Sequence, residues 1–414
     1  MRIAIVGAGI AGLTCAHLLQ PEHEITVFEA EDYAGGHTRT IRVETQDAEH
    51  HVDTGFIVYN DRNYPGFGRL LERLGVATQP SNMSFSVSDG RGAFEYSGAS
   101  PNGLFARRSS LLRPSFHRIV RDLLRFNREA PALIGLNGTG PTVLDFLEEG
   151  GYSREFVERL IVPQASAVWS ADPRGLRHFP AGLLAEFFAN HGMLGLRDRP
   201  NWRTVAGGSA RYVERLTAPM RDRLWLSTPV TGIERLGDRV EVATADAEPE
   251  AFDEVILACH SDQSLEMIAN PSRAERDVLG AIAYQANDVV LHTDASLLPR
   301  RRRAWASWNF HLQDAPAERT TVTYHMNRLQ ALDAESEYCV TLNRDHAIDE
   351  RAVIDSGELS HPVFTHGALT AQGRWAEISG VNRTHFCGAY WGYGFHEDGV
   401  QSGLRVCERF GVSL

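Results

Sequence analysis

Six residues near the amino end, Gly7-Ala8-Gly9-Ile10-Ala11-Gly12, have the types and spacing to hold a phosphate. In a G-x-G-x-x-G turn the first glycine permits a tight bend. The second lets a pyrophosphate approach the backbone, and the third lets helix and strand pack closely. A helix opening at that turn offers N–H groups and a positive dipole end. Glu29, seventeen residues past Gly12, supplies a carboxylate that accepts hydrogen bonds from ribose hydroxyls. These groups function only if regular elements hold them. Arg2 to Val6 is a short apolar, β-branched run that reads as a buried parallel strand. Leu13 to Gln20 reads as a helix and Glu24 to Glu29 as a second strand. Strand, glycines, helix, strand and acid in that order predict a βαβ unit rather than a Gly-rich loop or a signal peptide.

A second glycine turn follows at once, in Ala34-Gly35-Gly36-His37-Thr38-Arg39-Thr40. It resembles the G-G-R-x-x-T extension of the flavin-containing amine oxidase and phytoene desaturase superfamily, with His37 where that family has Arg. The resemblance implies FAD, held by Gly7, Gly9, Ala11, Gly12, Glu29, Gly35, Gly36, His37 and Thr38, with Arg39 a candidate for the phosphates. Asp53-Thr54-Gly55-Phe56-Ile57 is similar to the family's D-x-G segment, which implies that Gly55, Phe56 and Ile57 pass the isoalloxazine ring. Gly207-Gly208-Ser209 resembles the family's glycine turn opening a helix. Leu226 to Ile233 reads as a strand, and by resemblance Val230 reaches the adenine. Phe252 to Ala258 reads as another buried strand. Near the carboxyl end, Thr384 to Ala389 reads as a strand entering a glycine turn at Gly388. The run from Asp398 to Gly403 resembles the family's helix start facing the flavin, which brings in Asp398, Gly399 and Val400. Ala389 stands where many relatives carry an acid.

The resemblance touches the start, middle and end of the chain. It implies an α/β fold with a Rossmann-like FAD-binding domain that is discontinuous in sequence, 1–80, 205–265 and 375–414. A substrate domain of mixed sheet and helices, 81–204 and 266–374, is interleaved with it. The runs DTGFIVYN, AWASWNF and FCGAYWGYGFHEDGVQSG also resemble a bacterial subgroup of NAD/FAD-binding proteins linked with cyclopropane-synthase-like lipid methyltransferases. That wider set includes furan fatty acid desaturases. It implies a long-chain acyl substrate, free or on phospholipid, and a lipid methyltransferase-like partner.

Trp391-Gly392-Tyr393-Gly394-Phe395-His396-Glu397 sits just before the expected flavin-facing helix. His396 or Glu397 is a candidate to take a proton while hydride leaves the substrate. Equally, both side chains cap the helix or hold loop backbone. The chain has 41 basic residues, every one arginine. Typical flavin amine oxidases keep a lysine near the flavin, so its absence points toward desaturation. The rivals are an oxidase of amines or other small polar substrates, with an aromatic cage near Trp391 and Tyr393, and a non-catalytic flavoprotein scaffold.

Composition bounds the rest. With 43% hydrophobic and 23% charged residues, the 414-residue chain is ordinary globular material. A net charge of −12 gives no footprint for nucleic acid. The five cysteines include no CxxC pair, and the histidines show no metal-ligand spacing, so no metal is expected. A G-x-S-x-G elbow is missing, and no apolar run reaches 18 residues. The expected location is cytoplasmic, with peripheral contact on the inner membrane face. That contact comes from Arg107 to Arg128, which holds seven arginines and one acid on an amphipathic helical pattern. It reads either as a docking helix whose apolar face dips into anionic lipid or as a solvated basic face. Arg300 to Arg303, beside Trp305 and Trp308, reads as a second interfacial anchor or as a charged turn before a core strand.

Overall fold

The computed structural model describes residues 1–46, 48–136, 138–195, 199–245, 247–313 and 319–414. Strand β1 (Arg2–Val6) forms where Ile3, Ala4 and Ile5 are wholly buried. It pairs in parallel with β2 (Glu24–Phe28) on one side and with Glu254–Leu257 on the other. Leu224–Trp225 and Thr384–Phe386 complete a five-stranded parallel sheet. Helix α1 (Ile10–Leu19) starts directly at the glycine turn, three residues before the predicted Leu13. It is buried on nearly every side because the helix His396–Cys407 packs against it. A Cβ on Gly403 would lie 2.9 Å from the Ala11 carbonyl oxygen.

Of two predicted strands, Leu226 to Ile233 forms only from Val230 onward, with a separate short strand just before it, and Phe252 to Ala258 is divided between sheets. Leu224–Trp225 extends the parallel sheet, whereas Val230–Leu236 belongs to a three-stranded antiparallel one. Ser227, at φ 49°, and Pro229 break the ladder between them. Likewise Glu250–Phe252 and Glu254–Leu257 part at Asp253, whose carboxylate accepts the Arg2 N–H at 2.7 Å.

A seven-stranded sheet forms the second layer system, in the order 353–363, 283–292, 339–342, 322–325, 308–311, 85–88, 95–97. Its pairs are antiparallel except for Trp308–His311 against Phe85–Ser88. Helices between residues 114 and 190 cover it and share its hydrophobic core. One of them carries a π turn at Val157–Ile161. Pro163 has no N–H to give the Arg159 carbonyl, which instead accepts the Tyr96 hydroxyl at 2.9 Å. Downstream of that turn, Gln164, Val168 and Trp169 line the central cavity. Among the described residues no helix is long and apolar enough to cross a membrane.

Candidate functional site

A cavity of about 1630 Å³ runs from the first glycine turn to the seven-stranded sheet. At its nucleotide end each glycine does what its backbone requires. Gly7 sits at φ 104°, and a Cβ there would meet the Ala258 backbone at 3.0 Å. The space beyond Gly9 is open, so a ligand can approach its backbone. A Cβ on Gly12 would lie 2.0 Å from the Gly7 carbonyl oxygen. Among the described residues no side chain caps α1, which leaves its first-turn N–H groups for a ligand. Glu29 ends β2, where its carboxylate accepts the Ala8 N–H at 2.7 Å and the Glu31 N–H at 3.0 Å. The second glycine turn lies on the first: the Gly35 N–H donates to the Ala8 carbonyl at 2.8 Å, and Gly36 takes φ 57°.

Twelve of the predicted residues line this cavity. They are Gly7, Gly9, Ala11, Glu29, Gly35, Gly36, His37, Gly55, Phe56, Ile57, Val230 and Gly388. His396 lines it as well. The structure places Gly12, Thr38, Arg39, Glu397, Asp398, Gly399 and Val400 outside the lining.

Several of these placements correct the sequence reading. The Arg39 guanidinium makes a two-pronged ion pair with Asp355, at 2.7 and 3.1 Å, so its charge is already matched away from the cradle. Glu397 is a helix cap. Its carboxylate accepts the N–H groups of Gly66 and Phe67, both at 2.8 Å, and the Gln401 amide at 2.6 Å. It therefore closes the amino end of helix Pro65–Leu74 and faces no substrate. His396 stacks on Phe56 with ring centroids 3.5 Å apart, and its Nε2 lies 2.9 Å from both the Thr38 and the Tyr212 hydroxyls. Those hydroxyls are also bonded to each other. Burial holds the ring well below the usual histidine range and its Nε2 is already taken by the two hydroxyls, so it is a neutral strut rather than a free base. Asp398 accepts the Phe395 N–H at 2.9 Å, capping its own helix, and burial pushes its carboxyl up to about 7. Gly399 packs on Ile10 of α1.

The substrate end is built from side chains far apart in sequence. Met83, Phe85, Val168, Phe187, Leu342 and Phe364 supply apolar wall. Five carboxylates line the whole cavity. Glu29, Glu31 and Glu266 stand at the nucleotide end, while Asp61 and Glu358 are exposed. Among the described residues, therefore, no buried carboxylate faces the substrate end. Tyr393 lines the cavity, whereas Trp391 lines a separate one of about 450 Å³, so the two do not form a cage. Trp308 lines the main cavity, and the Trp305 indole N–H donates to the Pro299 carbonyl at 2.7 Å, so neither tryptophan is a surface anchor.

Sequence reading passed over three histidines here. His191 is the C-cap of helix Ala181–Asn190, and it also lines the cavity. Its Nδ1–H donates to the Phe187 carbonyl at 2.9 Å, which leaves Nε2 as the accepting atom. Burial pulls this ring down to about 4. His260 and His361 line the wall with His37, at ring distances of 6.0 and 5.2 Å from it. Burial lowers all three, His260 to about 4 and His361 to about 3, so the cluster is uncharged at neutral pH. His260 follows a parallel strand at its carboxyl end, where such sheets bind ligands, and that signal was available. His361 had none. Among the described residues no cluster is arranged to hold a metal.

The cavity suits a dinucleotide. Its volume exceeds the roughly 1,000 Å³ upper range of drug-sized pockets, leaving room for cofactor and substrate together. The Trp308 indole N–H is buried in its wall without a protein partner among the described residues. The bare face of Gly9 and the uncapped α1 would hold the phosphates, and Glu29 the ribose.

Comparison with known proteins agrees. The profile of the flavin containing amine oxidoreductases matches residues 10–322. A Mycobacterium tuberculosis protein named as a flavin-containing monoamine oxidase, AofH, is 24% identical over 261 residues. The match covers 60% of this chain and 55% of that protein, so the chain spans about half the length of this relative. Among solved structures, cyclohexylamine oxidase from Brevibacterium oxydans is similar over 99% of both chains, with 16% identity and a TM-score of 0.69. A fatty acid isomerase from P. acnes, described as producing CLA, is similar over 99% of this chain and 98% of that one, with 17% identity and a TM-score of 0.69. Putrescine oxidase gives a TM-score of 0.70 at 14% identity over 99% of both chains. At these identities the likeness is one of fold.

Proposed function

The chain belongs to the flavin containing amine oxidoreductase family and is an FAD-dependent oxidoreductase; from that premise we propose that it desaturates a long acyl chain, unsaturated or methyl-branched, free or on phospholipid. The observation that carries this reading is the substrate end of the cavity, walled by Met83, Phe85, Val168, Phe187, Leu342 and Phe364 without a buried carboxylate among the described residues. A buried ammonium needs a buried counter-charge, whereas an acyl chain needs only dry apolar wall. The absence of lysine throughout the sequence points the same way.

When bound, FAD accepts the hydride that oxidation removes. The chain must hold the substrate dry and receive the accompanying proton. His191 is suited to the second task. The Phe187 carbonyl fixes the tautomer with a lone pair on Nε2 and favours the protonated ring, against burial, which makes it a weak base. His396 keeps Phe56 and the Thr38 hydroxyl in place. An allylic C–H is the bond to expect, because charge developing there is delocalised. The test is product analysis: the protein with oxygen and unsaturated or methyl-branched acyl lipids should yield lipid lighter by two hydrogens. Unchanged lipids beside oxidised amines would overturn the reading.

A further inference from the structure

The two basic clusters at 107–113 and 300–303, about two hundred residues apart, meet on one surface. The turn at 91–93 gathers them. Arg107 and Arg113 donate to the Ala93 carbonyl, the latter at 3.1 Å. Arg300 donates to the Arg91 carbonyl at 3.0 Å and Arg301 to that of Gly92 at 3.1 Å. Arg301 is also paired with Glu95 at 2.5 Å. No carboxylate pairs with Arg107, Arg108, Arg113, Arg300, Arg302 or Arg303 among the described residues. Leu111 and Leu112 project from the same segment, 48% and 87% exposed.

The helix that follows is different. Its apolar face, with Phe116, Ile119 and Phe126, is buried in the protein's own core and is not free to enter lipid. Three of its arginines are matched: Arg118 by Glu155, Arg121 by Asp122 and Arg125 by Glu129. The unmatched charge and the bare leucines thus coincide at one place, just ahead of the helix.

We infer that this patch docks the protein on an anionic lipid bilayer, with Leu111 and Leu112 entering the interface and the arginines on the headgroups. Leucines this exposed need an apolar phase to enter, which a soluble polyanion lacks. The chain's net charge of −12 repels an anionic surface elsewhere and so favours this one orientation. The placement also has a use. Gly98 and Ala99 are exposed and line the central cavity, and only Ser100 separates them from the helix Pro101–Leu104, whose Asn102 accepts from Arg108 at 2.6 Å. The cavity therefore opens beside the patch. The docking rests on the surface alone, and vesicle binding is read without turnover, so its failure and that of the acyl reading are separable.

The test is co-sedimentation of the FAD-loaded protein with phosphatidylcholine vesicles, with and without one-third phosphatidylglycerol, at low and high salt. The protein should pellet with the anionic vesicles at low salt only. R300E/R303E should weaken binding by at least 25-fold, at roughly fivefold per arginine removed. L111S/L112S should weaken it more than tenfold while leaving binding to soluble heparin unchanged. Flavin content and melting temperature report that both variants fold. No pelleting of the parent protein, or pelleting that ignores the leucines, would overturn the inference; the second result would assign the patch to soluble polyanions or to plain charge attraction.

Discussion

The two ends of one cavity are made in opposite ways. At the nucleotide end the fit comes from backbone: Gly7, Gly9, Gly12, Gly35 and Gly36 are set by turns and close approaches that allow no Cβ or leave room for a ligand. At the substrate end it comes from side chains that four or more separate segments contribute, from Met83 to Phe364. Backbone demands act over a few residues. Side-chain walls are defined only once the whole chain has folded. The first end is therefore rigid and common to a family, and the second is free to change its substrate.

Substitutions can break this contrast or sharpen it. The largest effect belongs to Gly12→Val, because a Cβ there would stand 2.0 Å from a backbone oxygen that cannot move aside. It should cost more than about 3 kcal/mol and abolish flavin retention, read as flavin absorbance per protein. Normal retention would break the account of the cradle. At the other end, His191→Gln should retain flavin but lower kcat about 100-fold with little change in KM. An unchanged kcat would remove His191 from proton transfer.

Glu397→Gln separates capping from chemistry. It leaves buried N–H groups of Gly66 and Phe67 poorly matched and should cost about 2 kcal/mol, seen as a lower melting temperature. Turnover per bound flavin should stay the same, and a large fall in kcat would restore Glu397 to the reaction. The smallest effect is on pH dependence. Burial lowers His191, His260, His292, His311 and His361 to between about 3 and about 4 from an ordinary 6.5. As pH falls below about 6.5 the unfolded chain takes up these protons and the folded chain does not. Stability should fall by about 1.4 kcal/mol per pH unit for each such proton. Asp53 and Asp398, raised to about 7, act in the opposite sense between pH 7 and 4 but are fewer. Melting temperature should therefore decline steadily from pH 6.5 to 5; a flat profile would mean that these rings are not buried as described.

The same contrast explains what could be read in advance. The βαβ unit, the second glycine turn and the mixed second layer were legible, because glycine positions and β-branched runs report local backbone. Glu397 stayed open between base and cap because its partners, Gly66 and Phe67, lie some 330 residues away. The partner of Arg39, Asp355, is equally distant, so its ion pair was not legible either. On the helix Pro114–Glu129 the periodicity identified an apolar face but not what covers it, and the protein's own Phe94, Tyr96 and Phe105 do so. His191 faces the cavity only once Phe187 and Trp202, which stack on it, are packed around it by the folded chain.

The central claim is that the substrate end takes an uncharged chain. Its most direct test is the flavin absorbance of the purified protein without oxygen, titrated in turn with amines and with unsaturated or methyl-branched acyl lipids in micelles. Bleaching by the lipids alone is the predicted result. Bleaching by amines and not by lipids would contradict it, and would mean that this cavity oxidises amines without a lysine and without a buried counter-charge.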